Sequence, residues 1–170
     1  MLETFDANEI RSHRYGVIEI VDGQLVGLHF RRWPKLVSLI DVMWLGPRYH
    51  ARTPGNRCLV YYNRPRRFPS FLALSYLLST RDCTLASVQR GLVVLDEIAR
   101  IKQSDALLCD AWNSRLSERI LARYGWKRHT NSRWHCNYIK RFYGVYPTRT
   151  VSREAASIAA TGLVAVSVDR

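Results

Sequence analysis

A chain of 170 residues, 47% of them hydrophobic, is sized for one domain with a real core, which excludes a disordered chain despite a formal net charge of +12. The charge rests almost wholly on arginine, since lysine occurs only at Lys35, Lys102, Lys127 and Lys140; planar guanidinium groups suit phosphate, so nucleic acid, nucleotides, anionic cofactors or acidic lipid are the favoured partners, against a plain solvated basic surface. Cys58, Cys83, Cys109 and Cys136 show no short paired spacing, the N-terminus has no apolar core segment and no run reaches membrane length, so reduced thiols in a soluble cytoplasmic protein without a membrane partner are expected.

In chain order, "RYGVIEIVDGQLVGLHFRRW" alternates around Asp22-Gly23 and predicts a hairpin with strands near 14–21 and 25–31. Leu36, Leu39, Ile40 and Met43 repeat at helical spacing between Pro34 and Gly46-Pro47, and a loop over 46–56 leads to a strand at 57–62. The apolar run "SFLALSYLLS" at 70–79 fits a strand buried on both faces, with a helix as the alternative. A long helix follows over 84–102: Leu85, Val88, Leu92, Leu95 and Ala99 form its stripe, widened by Val94, Ile98 and Ile101, while Arg90, Asp96, Glu97 and Arg100 face out. Gly91 within it marks either close packing or simple tolerance.

"DALLCDAW" at 105–112 reads as a buried strand that holds Cys109. Asn113 or Ser114 caps a second helix with Leu116, Ile120, Leu121 and Tyr124 on one face, and Gly125 stops it. A terminal hairpin over 126–143 turns at Thr130-Asn131-Ser132; Trp126 and Trp134 cover the core while Lys127, Arg128, Arg133, Lys140 and Arg141 project outward or line its edge. Residues 148–170 are rich in small residues and form an appended tail with one weak strand at 163–168. The order gives a single α/β domain over 1–147 with a mixed central sheet.

The stretch "LLCDAWNSRLSERILARYGWKRH", with the strand, loop and helix before it, resembles the second half of the GNAT acyltransferase superfamily over residues 70–143, Gly125-Trp126 standing for the family's Gly-Phe. The resemblance implies a strand-helix-strand-helix-hairpin fold, acetyl-CoA or another acyl-CoA as cofactor, and an amine as acyl acceptor. It implies that the CoA pyrophosphate meets backbone N–H groups at the start of the 84–102 helix, where Arg81, Thr84 and Ala86 occupy the phosphate-loop positions and Thr84 replaces the central glycine. Asn113 corresponds to the family's asparagine on the cofactor side, and Tyr124, one turn beyond the family's tyrosine, to the acid that reprotonates the CoA thiolate. Asp82 at the helix entrance is expected to cap that helix in place of a phosphate oxygen, so CoA binding is expected to be weak.

Other readings stand beside this one. Helix cap, core tyrosine and core cysteine are the bland roles for Thr84, Tyr124 and Cys109. His135 and Cys136 are adjacent, so on a strand they point to opposite faces, and no metal site is expected. Aromatic residues interleaved with arginine in 122–144 could bind RNA or DNA through the basic hairpin. A GNAT-like domain that has lost catalysis and serves as an interaction module is the third reading.

Overall fold

The computed structural model describes residues 5–32, 54–110, 118–131 and 136–147. The helix expected near 36–43, the cap at Asn113 or Ser114, Ser132, Arg133, Trp134 and the 148–170 tail lie outside them, while Thr130 and Asn131, expected in the hairpin turn, belong to the strand Lys127–Asn131 instead. The fold is α/β, as the element order implied, built on one seven-stranded mixed sheet.

A short helix α1 (Ala7–Ser12) comes first, an element that hydrophobic periodicity does not announce. Asp6 caps it by accepting the Asn8 N–H at 2.8 Å, and the Asp6-x-x-Glu9 spacing is the signal the sequence carries for it. Strands β1 (Tyr15–Val21) and β2 (Gln24–Arg31) then pair antiparallel across Asp22 and Gly23, whose φ values of 50° and 75° are what a tight two-residue hairpin turn requires. Strands β3 (Arg57–Asn63) and β4 (Phe71–Ser79) extend the sheet, β3 antiparallel to β1 and β4 antiparallel to β3. The run at 70–79 is thus a strand, with Leu72, Leu74 and Leu78 buried.

From β4 the chain crosses through α2 (Leu85–Ile101) to β5 (Ala106–Asp110), which lies beside β4 and parallel to it. After α3 (Glu118–Arg123), strands β6 (Lys127–Asn131) and β7 (Cys136–Arg141) form the closing hairpin, with β7 against β5 and β6 at the edge. The order across the sheet is β2-β1-β3-β4-β5-β7-β6. Among the described residues no helix is long and apolar enough to cross a membrane.

Helix α2 covers one face of the sheet. Gly91 explains how closely: a Cβ there would stand 2.7 Å from Val60 Cγ2, so the helix backbone rests directly on β3. Arg90 and Asp96, expected to face out, are buried at 6% exposure each, because a helix apolar around most of its circumference is enclosed rather than laid on a surface. Lys140 corrects the reading of the hairpin in the same way. Adjacent strand residues point to opposite faces, so with Arg141 exposed Lys140 turns inward, where its Nζ meets Asp96 Oδ2 at 2.6 Å. Lys127, Arg128 and Arg141 are exposed and Trp126 is buried, as expected.

Both longer connections end in helix stops. Gly125, at φ 82°, lets the Trp126 N–H reach Leu121 O and the Gly125 N–H reach Ala122 O, closing α3. At the end of α2 the same left-handed position is filled by Gln103, at φ 53°. Lys102, one residue earlier, is buried, and its ammonium donates to the Ile10 and His13 carbonyls, which ties α1 to the end of α2.

Candidate functional site

The parallel pair at the centre of the sheet is short. β4 and β5 are in register from Phe71 with Ala106 to Leu74 with Cys109, and among the described residues the ladder ends there although Ser75 and Asp110 both continue as strand. The cause lies on the other edge of β4. Opposite β3, Tyr62 pairs with Leu74 and Tyr61 with Tyr76, so Ser75 is an extra residue, a β-bulge with no register partner in either neighbouring strand. A bulge bends its strand and sharpens its twist, and among the described residues Ser75 has no register partner across either edge of β4. The outer ends of parallel strands that part in this way are the usual place for a ligand in an open α/β sheet.

A cavity of about 830 Å³ lies along these strands. Phe71, Ala73, Ala106, Leu108 and Ile139 give it an apolar floor, drawn from the strand positions that alternate with those facing α2. Ser75, Asn63, His129, Asn137, Asp105 and Arg141 supply its polar groups, and Phe68 and Tyr143, 57% and 82% exposed, also line it. The Asn63 Oδ1 in this wall is buried without a hydrogen-bond partner, an acceptor left open toward a donor. Among the described residues no group of three or more His, Cys, Asp or Glu side chains could hold a metal ion.

The second element is the start of α2, which follows the end of β4 after five residues. Thr84 is the N-cap and its hydroxyl accepts the Ser87 N–H at 3.3 Å. Asp82, expected to cap, is exposed and makes no hydrogen bond among the described residues. The competitor that displaced it comes from the loop before β3. Asn56 Oδ1 accepts the Thr84 N–H at 2.9 Å and the Ser87 hydroxyl at 2.7 Å, so a neutral carboxamide oxygen sits where the helix offers its first donor. Thr80 fixes that loop, donating its hydroxyl to Gly55 O at 2.6 Å and accepting the Arg57 N–H at 3.0 Å. The next two amides, of Leu85 and Ala86, have no acceptor among the described residues.

The residues singled out from sequence are therefore divided. Arg81, Thr84 and Ala86 gather, exposed, at the start of α2. Tyr124 is buried just after α3 and does not line the cavity, and Asn113 lies outside the described residues. Cys109 is buried and lines the cavity where β4 and β5 part. Sequence reasoning missed Ser75 and Asn56. Ser75 had a signal, as the polar residue inside "FLALSYLL"; Asn56 had none, because its role depends on a contact across 28 residues.

Fold and site together define an α/β domain with a bulged, parting parallel strand pair at its centre. No family model, curated protein or solved structure matches the chain.

Proposed function

We propose that this chain is an N-acyltransferase that draws its acyl group from an acyl-CoA thioester, on a scaffold of the GNAT kind with an altered cofactor grip. The observation that carries this reading is the bulge at Ser75 beside the point where β4 and β5 part. Acyl transfer to an amine builds negative charge on the thioester oxygen, and a fixed backbone donor at a bulge is the kind of group that stabilises it. From Ser75 to the end of β4 at Ser79 is four residues, about 13 Å along an extended strand, and α2 begins just beyond; an extended thiol-bearing arm can bridge that span from its phosphates to the bulge.

In this reading the phosphates meet Arg81 and the Leu85 and Ala86 amides, and the acyl acceptor enters from the apolar cavity. His129 lines the cavity from β6, three strands from the bulge in β4, so it contacts the acceptor rather than the reacting amine. Tyr124, buried away from the cavity, serves the core rather than the thiolate. Asn56 holds the Thr84 N–H that a pyrophosphate would use, so binding is weak in the unmodified chain.

Calorimetric titration of the full chain with CoA and acetyl-CoA tests this. Weak saturable binding is expected, and Asn56→Gly, which frees the Thr84 N–H, should tighten it several-fold, since each 1.4 kcal/mol is about tenfold in affinity. Absence of binding in both proteins would sink the cofactor assignment.

One observation favours a second reading, a single-stranded nucleic-acid surface. Phe68 and Tyr143 stand exposed near Arg66, Arg67 and Arg141 in sequence, the mixture of rings and guanidinium groups that stacks bases and neutralises phosphates. Binding of generic single-stranded RNA that weakens steeply with salt, and that falls in Phe68→Ala and Tyr143→Ala, would support it. Binding that those two substitutions leave unchanged would reduce it to general charge.

A further inference from the structure

Two of the cysteines, read from sequence as unrelated reduced thiols, are neighbours in space. The β3–β4 ladder sets Cys58 opposite Ser79, and the Thr80 N–H donates to Arg57 O at 3.0 Å, so the chain leaving β4 stays at the Cys58 end of β3. The Cys83 N–H then donates to Thr80 O at 3.3 Å, and this turn folds the segment back to the start of β3, where the Cys83 thiol, 3.6 Å from Thr84 O, also neighbours that of Cys58. The segment is held by more than this turn. Thr80 is buried and bonded to the Gly55 and Arg57 backbone, and Thr84 is bonded to Asn56, so both flanks of the Cys83 turn are anchored to the loop that enters β3.

The two sulfurs differ in access. Cys58 is fully buried and Cys83 is partly exposed, and neither is in a disulfide. The hydrogen bond to Cys83, burial, and the Cys83 charge all push the Cys58 thiol up, which keeps Cys58 protonated, and Cys83 is the sulfur that an oxidant in solvent reaches first.

We propose that Cys58 and Cys83 form a peroxide-responsive dithiol that closes to a disulfide at the entrance of α2. The Cys83 thiolate attacks one oxygen of hydrogen peroxide: an S–O bond forms, the O–O bond breaks, and the departing hydroxide leaves as water with the proton that Cys83 gave up. The Cys58 sulfur then attacks the sulfenic sulfur of Cys83: the S–S bond forms, the S–O bond breaks, and the second hydroxide leaves as water with the Cys58 proton. Two thiols are oxidised by two electrons in all, and one peroxide is reduced to two waters. A partly exposed thiol to attack and a buried one to resolve is the division of roles that stops the reaction at the reversible disulfide. Closure ties the five-residue turn before α2 to β3, so the segment that carries Arg81 and Thr84 loses freedom on oxidation. This proposal stands on the cysteine geometry alone and holds whether or not the chain binds an acyl-CoA.

The test exposes the full chain to hydrogen peroxide, blocks remaining thiols with an alkylating agent under denaturing conditions, and measures intact mass and non-reduced tryptic peptides. The expected result is loss of two alkylatable thiols, a mass lower by two hydrogens before alkylation, and one linked pair joining residues 58–66 to 82–90, all reversed by dithiothreitol. Cys83→Ser, a change at a partly exposed position, should lose no alkylatable thiol under the same treatment. Oxygen added at Cys83 while Cys58 stays alkylatable, or linkage through Cys109 or Cys136 instead, would overturn the proposal.

Discussion

Replacing Lys140 with methionine should be among the most damaging single changes in the β6–β7 hairpin, although sequence suggests a surface lysine. The Lys140 and Asp96 side chains are 10% and 8% exposed and meet at 2.6 Å, joining β7 to the helix across the sheet. Methionine keeps most of the volume but takes the ammonium away from the buried Asp96 carboxylate, and removing one partner of a buried pair costs about 3–5 kcal/mol. That is a large share of the about 5–15 kcal/mol that holds a domain of this kind. Lysine also brings its ammonium within 5.8 Å of the Phe142 ring centre, a weaker attraction that methionine cannot reproduce. Urea unfolding followed by circular dichroism reads the effect: with a slope of about 2 kcal/mol per molar, the midpoint should fall by about 2 M. The double variant Lys140→Met with Asp96→Leu removes both charges and should recover most of the stability, since an apolar pair of similar volume is often as stable as the ion pair it replaces. A single variant within about 0.5 kcal/mol of the parent, the range of ordinary surface substitutions, would refute the buried bridge, as would a double variant no better than the single one.

Gly91→Ala brings a Cβ to 2.7 Å from Val60 Cγ2, so overpacking of about 1–3 kcal/mol should exceed the roughly 1 kcal/mol that alanine gains in a helix, and Val60→Ala in the same chain should restore part of it, measured by the same urea series. Gln103→Gly relieves a left-handed residue at the end of α2 and should stabilise by up to about 1 kcal/mol, seen as a melting temperature about 2–4 °C higher. Burial, and then the nearby Arg64 charge, push the Lys102 ammonium down to about 8. Its folded value lies below its unfolded one, so the unfolded chain holds more protons between about pH 8 and 10.5 and the Lys102 contribution to stability should rise across that window. Comparing stability against pH for the parent and Lys102→Met checks the sign: the parent curve should rise relative to the variant over that window, and parallel curves would contradict it.

The backbone was largely legible because its signals are local. Asp22-Gly23 specifies a turn whatever surrounds it, Gly125 marks a helix end by its own chemistry, and the stripe from Val88 to Ile101 needs a sheet to cover, while Leu85, expected in that stripe, stays exposed in the first turn. Apart from α1, whose capping signal at Asp6 is local, the failures are places where distant residues decide. Arg90, Asp96 and Lys140 look like surface groups by type, and it takes the packing of α2 against the sheet to bury them. Asp82 loses the cap to Thr84 because Asn56 arrives from another loop and favours the threonine amide. The bulge at Ser75 is a property of two strands in register, so one strand read alone shows only a serine among apolar residues.

The central claim is that an acyl-CoA lies between the start of α2 and the bulge in β4. Backbone amide spectra of the ¹⁵N-labelled full chain, recorded as acetyl-CoA is added, test it at residue level. The Leu85, Ala86, Ser75 and Cys109 amides should shift together along one saturating curve, with Phe68 and Tyr143 following only when an amine acceptor is added. Shifts confined to the Phe68 and Tyr143 surface, or no saturable shift at Ser75, would contradict it.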